Sequence, residues 1–222
     1  MPDRAKVLLV DDHPVALAGL RLLLERHATF HVSGEAADAR TARRLTEELQ
    51  PDFIVLDLRL GGRDGLELVE DLHAAQPAAR ILIFSSLNEE HYAKRALRAG
   101  ARGFVAKDRD LDEVRVALER LARGEYAFSA TVQRALFDAA AAGARGDPLD
   151  ALSNRELQIF RLLGEGKPTN EIADELHLSA KTVGTYRERL KEKLGFANAR
   201  ELEESAREFA GKDRGVSVGR RK

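Results

Sequence analysis

The chain has 222 residues, no cysteine and a formal net charge of −1, with 44% apolar and 33% charged side chains. Its length predicts two domains of roughly 100 and 60 residues, and its composition is that of a globular protein rather than a disordered or membrane-embedded one. The lack of cysteine excludes a disulfide framework, a Cys-based zinc site and a thiol nucleophile, and it fits a reducing compartment. The first apolar run, residues 7–10, is far shorter than a signal-peptide core or a membrane span, so a cytoplasmic location without membrane attachment is expected.

Five short, mostly apolar segments, residues 6–10, 31–35, 53–57, 81–84 and 103–106, read as strands buried on both faces. Amphipathic helical stretches lie between them. The clearest is 111–121, where Leu111, Val114, Leu118 and Leu121 recur at helical spacing and Asp110 is placed to cap the start. This alternation predicts an α/β, doubly wound, five-stranded parallel sheet with helices on both faces, the flavodoxin-like arrangement. Ligands of such sheets bind at the carboxyl ends of the strands.

Those ends carry reactive side chains. Asp11 and Asp12 end the first strand, Asp57 closes the third, Ser85 follows the fourth and Lys107 ends the fifth. Three carboxylates brought together repel one another at low dielectric, and a hard, oxygen-preferring divalent cation, Mg²⁺, is the simplest way to keep them ionised. A lysine and a hydroxyl beside that cation supply donors for a transferring phosphoryl group, with Asp57 as the nucleophile that forms an acyl phosphate. Taken singly, each residue has a plainer reading: a strand-end aspartate is commonly a cap or a solvated loop residue, and Asp12 before His13-Pro14 would cap the first helix. Their joint placement at four strand ends is what points to chemistry.

From residue 124 the pattern breaks. An aromatic turn with Tyr126 and Phe128, a short helix over 131–142 and the glycine-containing stretch 143–148 read as a linker over 124–150. Four helical patterns follow over 151–210, and the basic, glycine-containing tail 211–222 is expected to be disordered. Ser153 with Glu156 makes a capping box for a helix running through Leu163, stopped by Gly164, Gly166 and Pro168. Thr169 or Asn170 opens a second helix with Ile172, Ala173 and Leu176 on one face. After a tight turn at 177–179, Ser179 caps a third helix, 179–194, with an inner face of Val183, Tyr186, Leu190 and Leu194. Its outer face offers Lys181, Thr182, Thr185, Glu188, Arg189 and Lys193. Positive charge is local here: Lys181, Arg187, Arg189, Lys191 and Lys193 stand against Glu188 and Glu192. Such a helix suits a DNA major groove, and it equally suits the solvated face of an ordinary helical bundle.

Four runs in the first part resemble response-regulator receiver domains, over about residues 5–123: Val10-Asp11-Asp12-His13-Pro14, Val55-Leu56-Asp57-Leu58-Arg59-Leu60 through Asp64-Gly65, Ile83-Phe84-Ser85-Ser86, and residues 100–108, Gly-Ala-Arg-Gly-Phe-Val-Ala-Lys-Asp. The resemblance implies that Asp57 is the phosphoacceptor and that Asp12, Asp57 and the Arg59 backbone carbonyl ligate Mg²⁺, with Asp11 acting through metal-bound water. It also implies that Lys107 pairs with the phosphate, that Ser85 bonds to it, and that Phe104 is the aromatic that turns inward when Ser85 moves. Two departures stand out. Where the family usually has Met-Pro, this chain has Leu60-Gly61-Gly62, which predicts a more mobile loop. Phe104 lacks the hydroxyl of the frequent tyrosine, so a switch held by a phenol hydrogen bond is excluded.

Residues 151–206 are similar to the LuxR/FixJ-type DNA-binding domain. They match its Leu-Ser-x-Arg-Glu start (152–156), Asn-Glu-Ile-Ala (170–173), Leu-Ser-x-Lys-Thr-Val (178–183) and Lys-Leu-Gly (193–195). The resemblance makes 179–194 the recognition helix and 198–208 a fourth helix that in relatives helps form the DNA-bound dimer. Base-facing positions then fall at Gly184, Thr185 and Glu188, with Lys181, Thr182, Arg189 and Lys193 nearer phosphates. Gly184 stands where a basic residue is common.

As a whole the chain resembles two-component response regulators of the NarL/FixJ type. That implies a transcription regulator rather than an enzyme, which accepts a phosphoryl group on Asp57 from a histidine kinase and binds double-stranded DNA as a homodimer. The expected domains are a receiver over 1–123, the linker over 124–150, the helix-turn-helix domain over 151–210 and the tail. Two other readings remain open. A phosphotransfer enzyme of the haloacid-dehalogenase kind also uses a strand-end aspartate, but it expects a second aspartate two residues on, where this chain has Arg59. The other is a phosphorylation-independent DNA-binding regulator whose receiver serves only as a dimerisation module.

Overall fold

The computed structural model describes residues 4–61, 63–141 and 148–213. The chain divides into two compact units, Met1–Leu136 and Phe137–Lys222. In the first, the elements run β1 (Ala5–Val10), α1 (Pro14–Glu25), β2 (Phe30–Ala36), α2 (Ala39–Leu49), β3 (Phe53–Leu56), β4 (Arg59–Leu60), β5 (Arg63–Asp64), α3 (Gly65–Ala75), β6 (Arg80–Ser85), α4 (Glu89–Ala99), β7 (Ala101–Ala106) and α5 (Asp112–Ala122). Five strands form one parallel sheet in the order β2-β1-β3-β6-β7, the doubly wound arrangement expected from the sequence.

The apolar runs become strands because both of their faces are covered. Val7 to Val10, Ile54 to Leu56 and Ile81 to Ile83 are all essentially inaccessible to solvent. On one face Leu17, Leu20 and Leu24 of α1 and Val114, Leu118 and Leu121 of α5 close over Val7, Leu9, Val55, Leu82 and Phe84. Phe30 meets Phe53 edge to face, ring centroids 5.8 Å apart. Each large side chain buried this way contributes about 1.5–3 kcal/mol, so the sheet is a rigid platform for whatever its strand ends carry.

Several boundaries shift by a residue or two. β3 stops at Leu56, leaving Asp57 just past the ladder, where its N–H donates to the Val10 carbonyl at 2.9 Å. Asp110 accepts a hydrogen bond from the Asp112 N–H at 2.9 Å, but Leu111 already has helical backbone between them, and α5 begins one residue later than expected. The segment after Asp57, expected to be a looser loop, carries a small antiparallel ladder pairing Arg59 with Asp64 and Leu60 with Arg63. Gly62 lies outside the described residues.

The aromatic turn after α5 also has unanticipated order. Ala127 bridges Gly103 in parallel, extending the sheet at the β7 edge, and Ala127 and Phe128 are buried. α6 (Ala130–Ala141) follows. Of the expected linker, residues 142–147 lie outside the described residues.

The second unit contains a short 3₁₀ turn, Pro148–Ala151, and the helices α7 (Asn154–Gly164), α8 (Thr169–Glu175), α9 (Ala180–Leu194) and α10 (Ala199–Asp213). α10 runs further than the expected 198–208, because Phe209 and Ala210 continue its buried face and Phe209 packs on Phe160 with centroids 5.5 Å apart. Residues 211–213, expected with the tail, extend this helix; 214–222 lie outside the described residues.

The capping box of α7 forms as expected, with the Ser153 side chain accepting from the Glu156 N–H and the Glu156 carboxylate accepting from the Ser153 N–H. Glu156 also accepts from Lys193 Nζ at 2.7 Å. Burial works against its charge, but the hydrogen bonds from Lys193 and Ser153 outweigh it and hold the carboxyl below its ordinary value. A lowered folded-state value means that this carboxylate stabilises the unit above about pH 4.5 and stops doing so as pH falls through the folded value. Glu156→Ala should therefore lose roughly 2–3 kcal/mol in urea unfolding at neutral pH, the combined loss of a cap and a charged hydrogen bond. Its difference from wild type should shrink once pH falls below that value; an equal difference at all pH values would refute this account of the cap.

Candidate functional site

The carboxyl ends of β1, β3, β6 and β7 converge on one polar cluster. Asp11 and Asp57 are almost completely buried, and Ser85 is wholly so. Lys107 Nζ donates to Asp11 Oδ2 and to Asp57 Oδ2, both at 2.6 Å. On the other side of Asp57, Ser85 Oγ donates to Oδ1 at 2.6 Å and the Arg59 N–H donates to the same oxygen at 3.0 Å. The sheet register explains the meeting: Ser85 pairs with Ala106, next to Lys107, whose N–H donates to the Ser85 carbonyl at 2.8 Å.

Asp12 sits at the rim, its side chain one-third exposed, and accepts weakly from the Gly61 N–H at 3.3 Å. The plainer reading of Asp12 as a helix cap does not hold: the cap position of α1 is His13, with no side-chain cap bond. His13 is a member of the cluster that the sequence reading passed over. Its Nδ1 lies 2.8 Å from Asp12 Oδ1 and 3.1 Å from Asp11 Oδ1, and its N–H donates to Asp11 Oδ1 at 2.9 Å. Its position directly after two aspartates was the available signal.

Asp11, Asp12, His13 and Asp57 each place a ligand atom within 4.8 Å of the others. Three carboxylates against one ammonium leave a formal charge of −2, which one divalent cation neutralises, and a carboxylate-rich donor set at an open rim fits a hard cation that keeps several waters. Burial by itself would depress the Lys107 ammonium, yet the charges of Asp57 and Asp11 and the hydrogen bonds to both carboxylates outweigh it and hold Lys107 above its ordinary value. The lysine is therefore charged throughout the neutral range. Phe104 is buried, paired with Ile83 across the β6–β7 ladder.

In the second unit, α9 starts at Ser179, whose side chain accepts from the Thr182 N–H, and ends at Gly195 in the left-handed conformation. Val183 and Leu190 are buried, while Tyr186 and Leu194, expected beside them, are only partly covered. Lys181, Thr185, Glu188, Arg189 and Lys193 are exposed, and Thr182 and Gly184 are partly so. The basic residues divide into two groups. Arg187 turns inward to Thr169 Oγ1 at 3.2 Å and Glu203 Oε1 at 2.7 Å, Lys191 pairs with Glu188 at 2.6 Å, and Lys193 is held by Glu156. Lys181 and Arg189 have no carboxylate partner among the described residues, and Arg189 lies over the Tyr186 ring at 5.9 Å.

Among the described residues no helix is long and apolar enough to cross a membrane. Comparison with known proteins matches residues 7–119 to the family described as response regulator receiver domain, and residues 150–206 to bacterial regulatory proteins, luxR family. The chain is 33% identical over 187 residues to the DNA-binding transcriptional activator EvgA of Escherichia coli K12, covering 84% of this chain and 90% of that protein. It is 35% identical over 197 residues to the virulence factors putative positive transcription regulator BvgA of Bordetella pertussis, covering 89% and 94%. Its fold is similar to that of RcsB from Salmonella enterica serovar Typhimurium bound to promoter rprA in the presence of phosphomimetic BeF3−, with 26% identity, a TM-score of 0.66 and coverage of 92% and 99%.

Proposed function

Because the chain belongs to the two-component response regulators that join a receiver domain to a LuxR-family DNA-binding domain, we propose that Asp57 accepts a phosphoryl group from a histidine kinase and that this modification controls DNA binding by α9. The observation that carries the reading is the convergence of Lys107 and Ser85 on the two oxygens of Asp57 at 2.6 Å each. A buried carboxylate flanked by an ammonium and a hydroxyl is oriented for in-line attack on phosphorus, and the same two donors are in place for the oxygens of the phosphoryl group once attached.

Asp12, Asp57 and the Arg59 carbonyl would hold Mg²⁺, with Asp11 acting through a bound water; the ion supplies charge neutralisation during transfer. His13, through its contacts with Asp11 and Asp12, orients both carboxylates. Phe104, buried and paired with Ile83 two residues before Ser85, follows the hydroxyl when it moves to the phosphoryl oxygens. The receiver spans 1–123, the linker 124–150 and the DNA-binding domain 151–210, and the protein acts in the cytoplasm as a dimer on paired half-sites. That RcsB was captured on a promoter with a phosphomimetic supports this order of events.

On DNA, Gly184, Thr185 and Glu188 face base edges, and Lys181, Thr182, Arg189 and Lys193 lie toward phosphates. Lys181 and Arg189, lacking carboxylate partners, carry more of the electrostatic contact than Lys193, which must share its charge with Glu156. Nothing lies within 4 Å of where a Gly184 side chain would project. Gly184→Ala should accordingly stabilise the helix by up to about 1 kcal/mol while weakening binding to a duplex selected from a random pool; a rise in melting temperature with unchanged affinity would remove Gly184 from the groove.

The direct test combines intact mass and DNA binding in one sample. Incubation with acetyl phosphate and Mg²⁺ should add one phosphoryl group and raise affinity for the selected duplex. Tight binding with no phosphoryl uptake would favour the phosphorylation-independent regulator instead.

A further inference from the structure

Residues 126–129 make contacts that neither phosphoryl chemistry nor the DNA-facing helix uses. They run along the edge of β7, where the Phe104 N–H donates to the Ala127 carbonyl and the Ala127 N–H donates to the Arg102 carbonyl, both at 2.9 Å. A Cβ on Gly103 would lie 2.8 Å from the Ala127 carbonyl oxygen and 2.9 Å from Leu82 Cδ1, so the close approach requires glycine there. At the far end the Ser129 N–H donates to Glu89 Oε1 at 2.7 Å. Arg102 donates to the Tyr126 hydroxyl at 2.6 Å, and Arg120 to the Tyr126 carbonyl at 2.6 Å.

Both anchors belong to elements that carry the phosphoryl-binding donors. Glu89 opens α4, four residues after Ser85, and Phe104 precedes Lys107 by three residues on the strand whose Ala106 pairs with Ser85. The segment is held at the sheet edge by one bridge and by the burial of Ala127 and Phe128, so a displacement of either anchor shifts its population.

Resting on the phosphorylation reading above, we propose that residues 126–129 are a strap, docked on β7 and α4 while Ser85 is bonded to Asp57. The strap is released when a phosphoryl group on Asp57 draws Ser85 and Lys107 to its oxygens. The state of the site then passes through the backbone of Phe104 and the carboxylate of Glu89 into α6.

Residue-resolved amide hydrogen exchange on the full chain with Mg²⁺, with and without acetyl phosphate, tests this, with the mass of each sample recorded alongside. The Phe104, Ala127 and Ser129 amides should exchange slowly without the phosphodonor and at least tenfold faster with it. Phosphoryl uptake with unchanged exchange at these amides overturns the strap and leaves the phosphorylation reading intact; no uptake at all overturns both. Glu89→Ala and Ala127→Pro keep the site residues, and both should take up phosphoryl normally. Each should exchange the Phe104 amide fast before any phosphodonor is added, and slow exchange in both variants would show that these bonds do not hold the segment.

Discussion

Asp57→Asn should gain no phosphoryl group from acetyl phosphate and Mg²⁺, and its affinity for a selected duplex should be the same with and without the phosphodonor. Wild type under the same conditions should bind about tenfold more tightly or better, a coupling of about 1.4 kcal/mol or more between the two ends of the chain. The reason lies in what the amide keeps and loses. Asparagine can still accept from Ser85 and the Arg59 N–H, so the cluster stays assembled, but it has no anionic oxygen to attack phosphorus. Fluorescence anisotropy measures the affinities. A phosphodonor-dependent gain that survived in Asp57→Asn would place the acceptor elsewhere.

Lys107→Ala should show two separable defects. Removing the ammonium leaves Asp11 and Asp57 buried without their common counter-charge, and breaking a buried pair in this way costs roughly 3–5 kcal/mol. Urea unfolding in the absence of divalent cations should show that loss. Millimolar Mg²⁺ should recover part of it, because a cation bound at the same carboxylates stabilises only the folded state. The second defect is chemical: with one of the donors to the developing phosphoryl charge gone, uptake from acetyl phosphate should slow by about a hundredfold or more. Stability equal to wild type without Mg²⁺ would mean that Lys107 does not neutralise these acids. The sign with pH follows from the raised Lys107 value: the ammonium stabilises the fold at neutral pH, and its contribution is lost only as pH rises above the ordinary lysine range.

Most of the first unit was legible because its strands are buried on both faces, which leaves short, nearly unbroken apolar runs such as Val7 to Val10 and Ile81 to Ile83. Parallel pairing of such runs brings their carboxyl ends together, so the neighbourhood of Asp11, Asp57, Ser85 and Lys107 followed from topology alone. What the sequence concealed depends on reach across space. His13 has no periodicity to mark it; its position after two aspartates was the one signal, and the turn between β1 and α1 is what brings its ring onto both. The bridge from Ala127 to Gly103 involves too few residues to show an alternating pattern, and the β4–β5 ladder is equally short.

The basic face of α9 shows the opposite limit. Five cations stand in this helix, with Lys181, Arg189 and Lys193 read on its outer face, but Arg187, Lys191 and Lys193 are engaged by Glu203, Glu188 and Glu156. Two of those acids lie on other helices, where helical spacing within α9 gives no clue to them. Composition therefore overstated the unpaired charge of this helix: among the described residues Lys181 and Arg189 have no carboxylate partner, and Lys193 shares its charge with Glu156. In α10 the buried Phe209 and Ala210 carry the helix past Glu208, where it was expected to end.

The most direct measurement is the position of the phosphoryl group. After exposure to acetyl phosphate and Mg²⁺, reduction with borohydride converts an aspartyl phosphate to homoserine, and peptide mass spectrometry then locates the altered residue. The geometry of the cluster predicts the change at Asp57 alone; modification at Asp11, Asp12 or another residue, or at none, would contradict it.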